Sequence, residues 1–158
     1  MKPSIKTGFS FGLTSGIITT LGLIVGLNFS THSKLAVIGG ILVIAIADSL
    51  SDATGIHISE ESREESTTKS VWEATIATLV SKFVFASSFI IPVFLLSLEK
   101  AVIASIVWGV LLISFLSAYV AKEHHEKPYK AVIEHLLITI LVVIITYFVG
   151  NAIGEMSL

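Results

Sequence analysis

Apolar and polar positions separate along this chain into long blocks. Five apolar runs, over residues 8–29, 35–59, 71–98, 101–121 and 131–153, alternate with short polar segments. Each run is near the roughly 20 residues that a helix needs to cross a bilayer core. The pattern predicts an all-α membrane protein with five transmembrane helices in one domain, 1–158. The connections after the first and third runs are very short, which makes neighbouring helices antiparallel hairpins. Two longer polar segments, 60–70 and 122–130, join the others.

Composition agrees with this reading. The chain is 53% hydrophobic and 14% charged, too apolar for an ordinary soluble domain. The opening MKPSIKTG puts lysines ahead of an apolar run, as a secretory signal does. That run is long and glycine-rich and lacks a small-residue cleavage pattern, so it reads as a first span. The chain has no cysteine, which excludes disulfides, thiolate metal sites and cysteine nucleophiles.

The net charge of −2 says little, whereas the placement of charge says more. With the N-terminus inside, the cytoplasmic side holds Lys2, Lys6, Arg63, Lys69, Lys122, Lys127 and Lys130. The other side holds Lys34 and Lys100. This bias predicts a cytoplasmic N-terminus and an external C-terminus, in the cell membrane. Both longer loops then lie on the cytoplasmic face.

Candidate chemistry concentrates in the segment 43–65, VIAIADSLSDATGIHISEESREE. A carboxylate inside a bilayer is costly and by default marks a functional site with a partner. Asp48 and Asp52 stand four residues apart and share a helical face, continued by Gly55 and Ser59. Oxygen ligands along such a face suit a hard or borderline cation. At the cytoplasmic mouth, His57, Glu60, Glu61 and Glu64 follow at i, i+3, i+4 and i+7. Imidazole and carboxylates at that spacing suit iron(II), manganese(II) or zinc(II), although a glutamate run is also an ordinary solvated helix end. Glu123, His124, His125 and Glu126 in the other loop offer a second cluster, and the two together would form a loading vestibule.

Lys82 lies among apolar residues of the third span, roughly 10 residues or about 15 Å from its cytoplasmic end. Asp48 lies at a similar depth, so an Asp48–Lys82 pair is the simplest way to neutralise both charges. Such a pair is either inert or a lysine that exchanges partners and couples cation entry to proton movement. Pro92 predicts a kink late in the same span. Gly8, Gly12 and Gly16 in the first span, followed by Gly22 and Gly26, predict a close helix–helix approach within one subunit or across a dimer. Ser15 and its hydroxyl neighbours are weaker contacts. The fourth span reads as scaffold. Glu134 and His135 open the fifth span and either join the pathway mouth or snorkel to the interface. No phosphate-cradling glycine loop, hydrolytic triad or basic nucleic-acid patch is present, so neither enzymatic activity nor a nucleic-acid partner is expected.

These residues resemble the vacuolar iron transporter family along nearly the whole chain. TSGIITTLGLIVGL is similar to that family's first span, and ADSLSDATGIHIS to its "A-L-S-M-x-x-G-E-Y-x-S" run. VWEATIATLVSKFVFASSFIIPVFL matches its entry tryptophan, small residues and late proline, and ITYFVG its Tyr-x-x-Gly close. The resemblance implies a five-helix subunit in a homodimer, with the first two spans of each subunit lining a shared pathway. It implies export of iron(II) or manganese(II) from the cytoplasm in exchange for protons, with the metal as cargo and no permanently bound cofactor. The chain departs from the family at several positions. Ser15 stands where the family has a pathway aspartate and Asp52 where it has a methionine. Ile56 and His57 replace its Glu-Tyr pair. Lys82 stands at a usually apolar position, and the long metal-binding domain between the second and third spans is reduced to 60–70. A carboxylate moved from position 15 to position 52 would make the site harder and less sulfur-friendly, with Asp52 the principal metal ligand and Asp48 committed to Lys82. The competing reading is a non-transporting or differently selective membrane protein on the same fold, with a structural Asp48–Lys82 pair.

Overall fold

The structure, a computed structural model, describes residues 1–123 and 127–156. Among these residues there is no strand. Helices α1 (Pro3–Thr31), α2 (Lys34–Val43), α3 (Ser49–Glu61), α4 (Thr68–Ser88), α5 (Ile90–Leu95), α6 (Leu98–Glu123) and α7 (Pro128–Met156) follow in order. A π-helical turn over Ile44–Asp48 joins α2 to α3, and α4 runs into α5 with a break at Phe89. Five stretches are therefore long and apolar enough to span a membrane: Pro3–Thr31, Lys34–Glu61, Thr68–Leu95, Leu98–Lys122 and Pro128–Met156.

The ends of these helices follow local chemistry. Pro3 and Pro128 occupy first helical positions, where the missing N–H removes no helix bond. α1 stops at His32, whose left-handed backbone (φ 50°) lets its N–H return to the Asn28 carbonyl at 3.0 Å. Ser33 then caps α2 by accepting from the Ala36 N–H. Thr67 and Ser70 form a reciprocal capping box at the start of α4, which satisfies two otherwise orphaned N–H groups. Pro92 cannot donate to the Ser88 carbonyl, and the helix breaks one residue beyond Ser88, as proline in a helix interior requires. The Ser88 side chain accepts from the Trp108 indole at 3.1 Å, so the break is braced from α6.

The π-turn was not part of the sequence pattern's prediction. Its first-order cause is a buried stripe with the wrong period for an α-helix. Val37, Ile41, Ala45, Ser49 and Ala53 are all buried and recur every four residues. In a regular α-helix each such step drifts by about 40°. The wider π-turn, in which the Ser49 N–H reaches back to the Ile44 carbonyl, takes up part of that drift. It keeps both halves of the span facing the bundle.

α1 is the hub of the bundle. It packs most extensively on α4, next on α7, and also touches α2 and α6. Its first half approaches α4 through glycine: a Cβ at Gly8 would lie 2.1 Å from the Ala74 carbonyl oxygen. Its second half meets α7, where a Cβ at Gly150 would lie 2.5 Å from the Gly26 oxygen. The glycine repeat thus serves contacts within the chain. Leu13, Ile17, Leu21, Ile24 and Val25 of α1 form the core with Val37 and Ile41 of α2, Phe89, Val93 of α5 and Ile113 of α6.

The two ends of the bundle are tied by lysines. Lys2 and Ser4 both donate to the Glu73 carboxylate, joining the starts of α1 and α4. At the other end Lys34 donates to the carbonyls of Phe94 and Leu96, at 3.0 and 2.9 Å, which α5 leaves without helical partners.

Candidate intramembrane ion cluster

Ser15, Asp48, Asp52 and Lys82 stand 12, 13, 9 and 14 residues from the helix ends at Pro3, Glu61 and Thr68 that share the N-terminal face of the bundle. At helical rise this puts them roughly 14–21 Å inside. Each comes from a different part of the fold: Ser15 from α1, Asp48 from the end of the π-turn, Asp52 from the first turn of α3 and Lys82 from α4. Gly16 admits the lysine, since a Cβ there would already lie 3.3 Å from Lys82 Cγ.

Lys82 is completely buried. Its Nζ lies 2.6 Å from Asp48 Oδ2, forms an ion pair with Asp52 Oδ2 and donates to Ser15 Oγ at 3.0 Å. Ser15 in turn donates to Asp52 Oδ2 at 2.6 Å. Three acceptors match the three hydrogens of an ammonium, which is how a buried lysine avoids the cost of desolvation. Two carboxylates face one ammonium, so the cluster carries an excess negative charge when all three are ionised.

The expected Asp48–Lys82 pair is present, and Asp52, expected as the principal metal ligand, joins it on the same ammonium. Both aspartates hold the lysine, and Asp52 holds it together with Ser15. The reason is the four-residue spacing itself, which presents both carboxylates to one ammonium.

The two carboxylates are not sealed in. The Asp48 side chain is 35% exposed and that of Asp52 21%. Beside them on the same span, Gly39, Val43, Ala47, Ser51, Gly55 and Ser59 are exposed at four-residue intervals. Nothing lies within 4 Å of a Cβ placed at Gly39 or Gly55. The cluster therefore opens toward a small-residue face of the second span.

The expected four-ligand group at the mouth does not assemble. α3 ends at Glu61, with Ser62 N–H bonded to the Ile58 carbonyl and Ser62 Oγ to that of Ser59. Glu64 therefore leaves the helical face it was expected to share. Glu60 turns inward and pairs with Arg63 at 3.1 Å. His57 and Glu61 do share surroundings, a cavity of about 200 Å³ that Ser66, Thr67, Thr68, Val71 and Trp72 also line. Among the described residues, no group of three histidine, aspartate or glutamate side chains is placed to hold a metal ion. His124, His125 and Glu126, and the side chain of Glu123, lie outside what the structure describes. Glu134 is exposed. His135 is held by Ser117 of α6, Nδ1 to Oγ 2.8 Å, and so fastens α7 to α6.

Sequence reasoning missed the hydroxyls that partner the histidines, Thr75 for His57 and Ser117 for His135. A lone hydroxyl in an apolar helix has no periodic signature that would single it out. Ser49, directly after Asp48, is buried with an unpaired hydroxyl and was likewise unforeseen. Compared with known proteins, the chain matches no protein-family model, no curated protein and no solved structure.

Proposed function

We propose that this protein is a transporter that moves divalent metal ions, iron(II) or manganese(II), out of the cytoplasm in exchange for protons, on the plan of the vacuolar iron transporters. The observation that carries the reading is the convergence of Asp48 and Asp52 on one ammonium deep within the bundle, with both carboxylates partly open on one flank. Intramembrane carboxylates that are neither sealed nor singly paired are what a cation pathway needs. Lys82 stands where a cargo cation would sit. A cation entering between the carboxylates displaces the ammonium, and Lys82 carries the proton that leaves in exchange.

On this reading the protein lies in the cell membrane with its N-terminus in the cytoplasm, as its lysine and arginine placement favours. It is a homodimer. The small-residue face of the second span, beside Asp48 and Asp52, is the contact between subunits, since such faces let membrane helices approach closely. The acidic mouth around Glu61, Glu64 and Glu65 gathers cations before entry.

Purified protein in liposomes that enclose a metal-quenched dye tests the proposal. Iron(II) or manganese(II) is expected to quench the dye in wild-type vesicles, and Asp52→Ala is expected to abolish the signal. No metal-dependent quenching, or quenching untouched by Asp52→Ala, sinks it. A second reading rests on the full burial of Lys82 and its three satisfied hydrogens: the cluster is a structural brace in a non-transporting protein. Variants at Asp48 and Asp52 that stay folded and lose flux decide against that second reading.

A further inference from the structure

His57 contacts Thr75 through Nδ1, at 2.9 Å from Oγ1. The Thr75 hydroxyl has a single hydrogen, and Oγ1 lies 2.8 Å from the Val71 carbonyl oxygen, an atom that can only accept. The hydroxyl therefore donates to Val71, and Oγ1 accepts from the imidazole. Nδ1 of His57 therefore carries a hydrogen, and in the neutral ring the lone pair sits on Nε2. A histidine with one ring nitrogen donating to a fixed oxygen has its ring orientation and tautomer set, the usual arrangement behind a metal-ligating imidazole.

That Nε2 has no protein partner among the described residues. The ring is held a second time by Trp72, edge to face at a centroid distance of 4.8 Å. One turn on, at i+4 of the same helix, Glu61 is exposed and also unpaired among the described residues. Both line the 200 Å³ cavity at the mouth of the bundle. The start of α4 borders the cavity, but Thr67 and Ser70 occupy each other's N–H groups there. It is no cradle for an anion. Next along the chain from the lining residues stand the Glu60–Arg63 pair, Glu64, Glu65 and Lys69, which together with Glu61 leave a net negative charge that favours cations.

We infer that His57 Nε2 and Glu61 form a two-residue binding site for one divalent first-row transition-metal ion, completed by water and by the hydroxyls of the cavity, with Thr75 as its positioning residue. One nitrogen and one carboxylate select borderline ions over calcium and magnesium. As the point where cargo loads, the site rests on the transport reading above. As a metal site it stands on its own geometry.

The test uses full-length protein in detergent and Co(II) as probe. Equilibrium dialysis is expected to give a Co(II) site that is lost in His57→Gln and Glu61→Gln. Thr75→Val is expected to weaken it roughly 10- to 100-fold, as removal of an outer-shell partner does, while Thr75→Ser restores it. Pulsed EPR with Mn(II) reads nitrogen coupling from a ligating imidazole, which a merely structural His57 would not give. Co(II) binding unchanged in His57→Gln, or an Mn(II) signal without nitrogen coupling, overturns the site. Flux in the same preparations separates the two readings. Binding at His57 without any transport supports the site and ends the transport reading. Transport by a protein with no His57-dependent binding overturns the site alone.

Discussion

Replacing both Asp48 and Asp52 by asparagine leaves the Lys82 ammonium with Ser15 and two amide oxygens but no counter-charge, in a place with no solvent exposure. Breaking a buried ion pair from one side costs about 3–5 kcal/mol, because the remaining charge is stranded. Each single substitution is far milder, since the lysine keeps one carboxylate. It costs at most the roughly 1.5–3 kcal/mol of one charged hydrogen bond. Asp52→Asn is the worse of the two, because Asp52 is the less exposed and also receives the Ser15 hydroxyl. Lys82→Met strands two carboxylates that lie only partly buried, whereas the double variant strands a fully buried ammonium, so it falls between the single and double aspartate variants. Adding Lys82→Met to the double variant removes the stranded charge and returns most of the stability. Thermal unfolding in detergent, followed by size-exclusion chromatography, reads the series. At roughly 2–4 °C per kcal/mol for a chain of this size, the double variant should unfold about 6–20 °C below wild type. A double variant as stable as wild type, or a triple variant no more stable than the double, refutes the reasoning.

Two further outcomes follow from the packing. Gly8→Ala places a methyl group 2.1 Å from the Ala74 backbone oxygen, so α1 and α4 must separate and stability should drop by about 1–3 kcal/mol; the same substitution at Gly55, where nothing lies within 4 Å, should leave the unfolding temperature of the monomer unchanged. In the proposed homodimer, Ser51→Trp, on the exposed face of the second span, should abolish chemical cross-linking between subunits without lowering the monomer's unfolding temperature. Retained cross-linking would place the dimer contact elsewhere.

Hydropathy located all five spans because the bilayer demands the same length of apolar chain from each. It fell a few residues short at most ends, where Pro3, Ser4 and Pro128 are helical but polar or exposed, and ran past the end of the third span, which stops at Leu95. The π-turn escaped for a physical reason. In a membrane helix both the buried and the outer face are apolar, so hydropathy does not report rotation about the helix axis. The four-residue recurrence of small side chains at Ala45, Ser49 and Ala53 was present in the sequence, and only packing shows which face it occupies. Depth counting correctly brought Lys82 level with Asp48. It was blind to azimuth and so did not see Asp52 on the same ammonium. At the mouth, the helical spacing of His57, Glu60, Glu61 and Glu64 was legible, but the end of α3 at Glu61 was not. No glycine or proline marks that end; Ser62 and Arg63 close it by hydrogen bonds to the preceding turn.

The central place of α1 has a consequence for biosynthesis. A chain made from its N-terminus puts its hub into the bilayer first and the hub's partners last. Gly150 of α7 closes on Gly26 about 120 residues after α1 is complete, on the order of 6–24 s at roughly 5–20 residues per second. Asp48 and Asp52 wait as well, since Lys82 arrives only with the third span. During that interval the nascent protein is a helical hairpin whose two carboxylates lack the Lys82 ammonium that later pairs with them. The insertion machinery, rather than the finished fold, has to shelter them until α4 is delivered.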